Sequence, residues 1–261
     1  MIAVLSRYVA RKMSTSFYTK DFIFDESVAK GLISPFAETP LTAAAAETAA
    51  ITSARAWHKF YGMHGGKFFH SRSFLFEAFP QLKPLLLESS SASAFAATVL
   101  ELGCGNGSNV FPLITHLQKE IKILACDITP SALRSVMSHP SFEENKERIK
   151  LFLFDIAENS QPLDPIGMIL TTSNRAQELT ELNTSFLKIP SEVTGGKVDA
   201  ITCTFVLSSL HPKDHRRSLV NASSILRSGG KLFFRDYAIG DAALSRMLTP
   251  ESRLQERLFK R

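Results

Sequence analysis

The sequence predicts an α/β fold: a doubly wound, mostly parallel sheet preceded by an N-terminal helical extension. Three observations carry this. From residue 98 onward, short apolar runs alternate with segments of helical pattern. The runs are apolar throughout instead of alternating with polar residues, as strands covered on both faces require. The first run leads directly into the glycine-rich stretch "LELGCGNGSN" (100–109), the strand–loop–helix order found where an open α/β sheet binds a ligand.

Each element follows in order. Residues 1–40 have little periodicity and are broken by Gly31, Pro35 and Pro40. "LTAAAAETAAITSARAWHKFYGMH" (41–64) is Ala-rich and predicts a helix, ended by Gly65 and Gly66. Residues 68–88 predict a loop and then a helix broken near Pro80 and Pro84, and 89–97 a small-residue linker. "TVLELG" (98–103), "KILACD" (122–127) and "IKLFLFD" (149–155) predict the first three strands, with helices between them. "KVDAITCTFVLSSL" (197–210) holds the fourth strand. "DHRRSLVNASSIL" (214–226) predicts an amphipathic helix that Gly229 and Gly230 terminate, and "KLFFRDY" (231–237) the fifth strand. Residues 156–198 are long for one crossover, and their Ser/Thr and Pro content predicts an inserted loop. The expected organisation is an N-terminal extension (1–40), a helical capping segment (41–97) and a cofactor-binding domain (98–261).

Bulk properties set limits. The chain has 261 residues, which suits one large α/β domain with an extension. A net charge of +5 and a pI of about 9.1 permit an anionic partner such as nucleic acid. Three scattered cysteines, with no CxxC, predict neither a disulfide framework nor a metal site, and a reducing compartment. No apolar run reaches membrane-spanning length. The first twenty residues carry Arg7, Arg11, Lys12 and Lys20 and no acid. That is the composition of a mitochondrial transit peptide, and equally of an ordinary basic N-terminus, so the expected location is cytoplasmic or mitochondrial.

The glycines stand as G-x-G-x-G, at Gly103, Gly105 and Gly107, and Asp127 ends the second strand. A carboxylate there can accept both hydroxyls of a ribose. These two features leave a nicotinamide dinucleotide open. Glu101 near the end of the first strand and Asp155 at the end of the third shift the balance. Three acids on one rim disfavour a pyrophosphate and favour a cationic sulfonium. The predicted cofactor is S-adenosylmethionine, with the glycines at its methionine part, Asp127 on the ribose, and Asp155 with Ile156 framing the adenine. Asp155 has an alternative role as a helix N-cap, and Glu101 an indirect, structural one.

"LELGCGNGSNVFPLI", "ACDITPSAL", "FVLSSLHP" and "LFFRDYAIGD" together resemble the methyltransferase-like family that makes 3-methylcytidine in tRNA anticodon loops. "AWHKFYGMHGGKFFHSRSFLFEAFPQL" resembles the same family's N-terminal W-x-x-F-Y and F-F-x-x-R segment, so the likeness covers about residues 55–261. It implies a class I, Rossmann-like methyltransferase fold and a tRNA substrate. It implies that Trp57 and Tyr61 close over the cofactor, that Thr204 joins its pocket, and that Phe68 and Arg72 approach the target cytosine. Arg235 and Asp236 complete the candidate catalytic set: Asp236 for charge on the methylated ring, Phe68 for stacking on it. Lys59, Lys67 and Arg72 are candidate phosphate contacts. A synthetase or another protein is a candidate partner; no membrane or metal is expected.

Ser71 stands where the family has an acid, and Ala238 where it has glycine. The family continues past the segment matching "ESRLQERLFKR" with a helix and two strands, so the resemblance implies a sheet short of its last two strands with an exposed edge. Two other readings stay open: a methyltransferase of a small molecule or protein, and an inactive relative that binds RNA or a partner protein.

Overall fold

In the computed structural model, the described residues are 57–63, 74–92, 97–117, 121–157, 188–210, 212–237, 253–255 and 258–259. Phe68, Arg72, Lys67, the N-terminal basic segment and most of the inserted loop lie outside them. The chain divides into two compact units. One spans Thr52–Arg235; the other combines Met1–Ile51 with Asp236–Arg261.

The first unit is built on a five-stranded sheet of order β3-β2-β1-β4-β5, every neighbouring pair parallel. The strands are β1 (Thr98–Leu102), β2 (Lys122–Asp127), β3 (Ile149–Leu153), β4 (Val198–Thr204) and β5 (Leu226–Arg235). The chain runs outward from β1 to β3, then crosses back to β4 on the other side of β1. The order therefore reverses between β1 and β4, the point where doubly wound sheets open a crevice.

Alternation along each strand feeds two cores. Val99, Ile123, Ala125, Leu151 and Leu153 point to one face, and Leu100, Leu102, Leu124, Cys126 and Phe152 to the other. The first face is covered by α2 (Leu75–Ala78), α3 (Leu82–Ala92), α4 (Val110–His116) and α5 (Pro130–Met137). Against the second pack α7 (Ser191–Thr194) and α8 (Pro212–Ile225), through Val193, Ala222 and Ile225. Helical residues 57–63 (α1) and a short α6 (Phe142–Asn145) complete the unit. In the second unit, β6 (Arg253–Gln255) pairs antiparallel with β7 (Leu258–Phe259).

Two sequence expectations need correction. Pro84 does not break a helix. It lies in the first turn of α3, where no intrahelical N–H bond is lost; the break is at Phe79–Gln81, and α3 runs on to Ala92, into the start of the expected linker. Nor do Gly229 and Gly230 end α8. The helix stops at Ile225 and β5 begins at Leu226, so both glycines lie within the strand. The register jumps there: Val198 pairs with Leu226, and Ala200 with Lys231. Gly229 takes φ +77°, and a Cβ on Gly230 would sit 3.0 Å from the carbonyl oxygens of Val198 and Arg227. Only glycine fits that bulge.

The lower end of the sheet is tied by one buried carboxylate. Asp199 accepts the Thr98 amide at 2.7 Å and the Arg227 guanidinium at 2.5 Å, joining β1, β4 and β5.

Candidate active site

The upper rim begins where β1 ends. Gly103, Gly105 and Gly107 all have positive φ, at +63°, +54° and +86°. Side chains already press on this loop. A Cβ at Gly103 would lie 2.6 Å from Val206 Cγ2, and one at Gly105 would lie 2.5 Å from the Tyr61 hydroxyl. The loop needs glycine both for its backbone and for its neighbours.

Asp127, at the end of β2, is 6% exposed and turns back to the loop. Its Oδ2 accepts the Gly105 amide at 3.0 Å; its Oδ1 accepts the Thr129 amide at 3.0 Å and the Thr129 hydroxyl at 3.2 Å. Burial pushes its carboxyl above the usual range, and the Gly105 and Thr129 bonds partly offset this. A carboxylate has about four acceptor positions, and the Gly105 and Thr129 bonds take three of them, two on Oδ1 and one on Oδ2.

Below the loop lies a polar network in which Glu101 and Thr204 were named from the sequence and Asn109 and Thr202 were not. Glu101 is 1% exposed. Its Oε1 accepts from Asn109 Nδ2 at 2.7 Å, and its Oε2 accepts the Thr202 hydroxyl. Asn109 Nδ2 also reaches Thr204 Oγ1 at 3.1 Å. One amide thus ties the end of β1 to the end of β4 across the switch point. Asn109 holds the N-cap position of α4 yet makes no capping bond, because its side chain serves this network. A polar N-cap residue closing the glycine loop was the visible signal; its diversion to β4 was not. Glu101 has the contacts that the structural role considered for it requires.

The third acid follows β3. Asp155 Oδ1 accepts the Ala157 amide at 2.8 Å, folding Asp155–Ala157 into an Asx turn. The N-cap role considered for Asp155 concerns a helix that would run past Ala157, outside the described residues. The buried Ile156 packs into the second core.

Across the switch point, Phe205 follows β4 with φ +60°, the one described non-glycine residue with positive φ. Its amide donates to the Arg235 carbonyl at 2.8 Å. Val206 then seats on Gly103. Arg235, at the end of β5, lays its guanidinium 4.5 Å from the centre of the Phe74 ring. Asp236 belongs to the second unit, where its Oδ1 accepts the Tyr237 amide at 2.8 Å.

α1 reaches the glycine loop from the N-terminal side. Trp57 stacks on Tyr61 with centroids 5.9 Å apart, and Phe60 meets both edge-on. Tyr61 is buried, Trp57 and Phe60 half-buried, and Lys59 exposed. His58 anchors the segment: the Ser131 hydroxyl lies 3.1 Å from its carbonyl and 3.2 Å from Nδ1. The structure therefore brings together Tyr61, Gly103, Gly105, Asp127 and Thr204, and sets Trp57 against Tyr61. Cys104 and Cys126 are buried at the same rim; burial raises both thiols well above their usual range, so they are not thiolate nucleophiles. Among the described residues no cluster of three metal-ligating side chains occurs, and no helix is long and apolar enough to cross a membrane.

Residues 100–232 match the family model described as a methyltransferase domain. The chain is 30% identical over 219 residues to the tRNA N(3)-methylcytidine methyltransferase Mettl2 of Drosophila melanogaster, covering 84% of this chain and 58% of that protein. It is 31% identical over 217 residues to the corresponding enzyme trm141 of Schizosaccharomyces pombe, covering 80% and 70%. With the mouse tRNA N(3)-cytidine methyltransferase METTL6 it shares 30% over 207 residues, covering 78% and 60%. The chain thus spans between 58% and 70% of the length of these relatives. The match extends well beyond the glycine loop into the helices before β1, and by it the chain belongs to the methyltransferase domain family, on the branch whose members are named tRNA N(3)-methylcytidine methyltransferases.

Proposed function

We propose that the chain is an S-adenosylmethionine-dependent methyltransferase that forms 3-methylcytidine in tRNA. The observation that carries this is the glycine loop held at positive φ by the Asp127 carboxylate at the switch point, in a chain 31% identical to 70% of a relative of that name.

The residues present suit the cofactor. Asp127 and Asp155 are carboxylates on adjoining strand ends, and Glu101 keeps a further buried carboxylate beneath the loop. This acidic rim favours a cationic sulfonium over a pyrophosphate. Gly103 and Gly105 would let the backbone approach the methionine part. Asp127 would accept the ribose hydroxyls, and Asp155 with Ile156 would frame the adenine. Thr204 borders the same pocket. Tyr61, already on Gly105, would cover the loop with Trp57 behind it. When bound, S-adenosylmethionine supplies an electrophilic methyl group.

The substrate atom, cytosine N3, carries a lone pair and no proton, so no general base is required. The protein's task is alignment, worth up to ~7–11 kcal/mol in favourable cases, and stabilisation of the charge that passes to the ring. Phe68 and Arg72 are proposed for the base, Asp236 for the charge that develops on it, and Arg235 as a further member of the catalytic set. Unpaired loop bases are cheaper to extrude than paired ones. Lys59 and Lys67 are proposed phosphate contacts, and a synthetase or other protein a candidate partner. The basic N-terminus supports a mitochondrial destination, which microscopy of a C-terminally tagged chain tests.

The direct test incubates the protein with labelled cofactor and total tRNA and analyses the nucleosides. Label is expected in 3-methylcytidine. Normal cofactor binding with no label in tRNA overturns the tRNA assignment; label in a protein or small-molecule fraction supports the alternative methyltransferase.

A further inference from the structure

Two side chains of α8 grip the turn proposed to hold the adenine. Asn221 Nδ2 donates to the Ile156 carbonyl at 2.8 Å, and Arg217 Nε donates to the Ala157 carbonyl at 2.6 Å. The two residues are one helical turn apart, so one face of α8 presents both donors to consecutive carbonyls. Asn221 is buried; Arg217 is in turn held by an ion pair with Asp214 on its own helix. The Ala157 amide is taken by Asp155 Oδ1. With its carbonyl drawn towards α8 and its amide taken inside the turn, the Ile156–Ala157 peptide is held at both ends, and the Ala157 carbonyl is held by the same helix.

We propose that Asn221 and Arg217 are positioning residues for adenine recognition: they set the turn through its carbonyls and never touch the cofactor. This rests on the reading above that Asp155 and Ile156 frame the adenine. The physical point is preorganisation. A turn fixed before binding loses little conformational freedom on binding, and a loosened one loses more, so affinity falls without the loss of any direct contact. An adenine reader also has to hold its donors and acceptors in one orientation to tell the 6-amino group from a 6-keto group. A loosened turn therefore loses discrimination as well as affinity.

The test compares S-adenosylhomocysteine with S-inosylhomocysteine by calorimetry, in the intact chain and in Asn221→Ala, Arg217→Met and Arg217→Lys. Ser218→Ala is the control. Its hydroxyl is buried on the same helix but bonds the Asp214 carbonyl of α8 itself, so it perturbs the helix without releasing the turn. The intact chain is expected to prefer the adenine compound. Asn221→Ala and Arg217→Met are expected to weaken it about tenfold and to narrow its advantage over the inosine compound, with Arg217→Lys restoring part of both. Ser218→Ala is expected to lower Tm while leaving both affinities in place. Unchanged discrimination in Asn221→Ala and Arg217→Met overturns the proposal, and so does an equal loss in Ser218→Ala. If the intact chain binds neither compound, the cofactor reading itself has failed; if it binds both equally, the adenine assignment of the turn has failed.

Discussion

The two sides of the switch point are built differently. On the β1–β3 side every unusual backbone angle belongs to a glycine, and the loop is tied by a hydrogen bond to a buried carboxylate. On the β4–β5 side of the rim a positive φ falls on a bulky residue, Phe205, and the contacts there are a cation over a ring and a valine seated on Gly103. The first side can recognise a constant ligand with a rigid polar frame. The second carries backbone strain and aromatic surface, which suits a base that must be turned out and stacked. Breaking each side in turn should therefore give different phenotypes, with the cofactor lost from one and transfer lost from the other.

The largest expected effect is at Asp127. Asp127→Asn removes a charge-assisted acceptor from the loop and from the proposed ribose contact. Charged hydrogen bonds contribute about 1.5–3 kcal/mol, so affinity for S-adenosylhomocysteine should fall roughly 100-fold, measured by calorimetry, while tRNA binding stays near normal. The pH dependence has a defined sign. Burial raises the folded-state pKa of Asp127 above its unfolded value. Its contribution to folding stability therefore declines as pH rises from the ordinary carboxylate range through that raised value. Ribose binding needs the ionised form and grows over the same window. In the intact protein, cofactor affinity should weaken on acidification before an ordinary carboxylate would protonate, and Asp127→Asn should abolish that limb.

Asn109 belongs to both sides, and its loss should sharpen the comparison by affecting them together. Asn109→Ala leaves Glu101 buried with the Thr202 hydroxyl and frees Thr204 from the loop. A buried acceptor deprived of its donor costs about 1–3 kcal/mol, more for a charged group. Denaturant unfolding should show about 2–3 kcal/mol of destabilisation, and both cofactor affinity and methyl transfer should decline. A loss confined to one of the two would mean that the network does not couple β1 to β4.

Gly105→Ala tests the glycine side alone. At φ +54° an alanine costs about 1–2 kcal/mol of backbone strain, and its Cβ would collide with the Tyr61 hydroxyl. Combining it with Tyr61→Phe removes the colliding oxygen but not the strain. The double variant should be more stable than the sum of the two single variants predicts, because the sites share one contact. Additive losses would show that Tyr61 does not rest on the loop in solution.

The same contrast explains what the sequence could disclose. The strands and the cofactor side were legible because their causes are local: apolar runs buried on both faces, glycines where φ is positive, acids at strand ends. Asp127 and Gly105 were found by spacing alone, and the structure joins them by one hydrogen bond. The bulge at Gly229–Gly230 was misread because glycine both ends helices and fits bulges, and the pairing of Asp199 with Arg227, which draws the chain into β5, is a contact between distant residues. Asn109, Arg217 and Asn221 escaped for the same reason: their partners lie on other strands and turns. Trp57 and Tyr61 were reached through the family resemblance, since an aromatic pair on a helix otherwise reads as packing.

Phe205 gives the smallest expected change in stability and the clearest separation of the two sides. A bulky residue with positive φ persists only where its surroundings impose it, and such strain gathers at functional sites. Phe205→Gly relieves roughly 1–2 kcal/mol of backbone strain and gives up the packing of a half-buried ring. These effects oppose each other, so Tm should move little, whereas Phe152→Ala in the core should cost ~3–5 kcal/mol. If the β4–β5 side handles the base, Phe205→Gly will bind S-adenosylhomocysteine normally and transfer methyl groups to tRNA at least tenfold more slowly. Normal transfer would reduce Phe205 to a strained packing residue. Equal loss of binding and transfer would place it on the cofactor's side of the switch point and erase the division between the two halves.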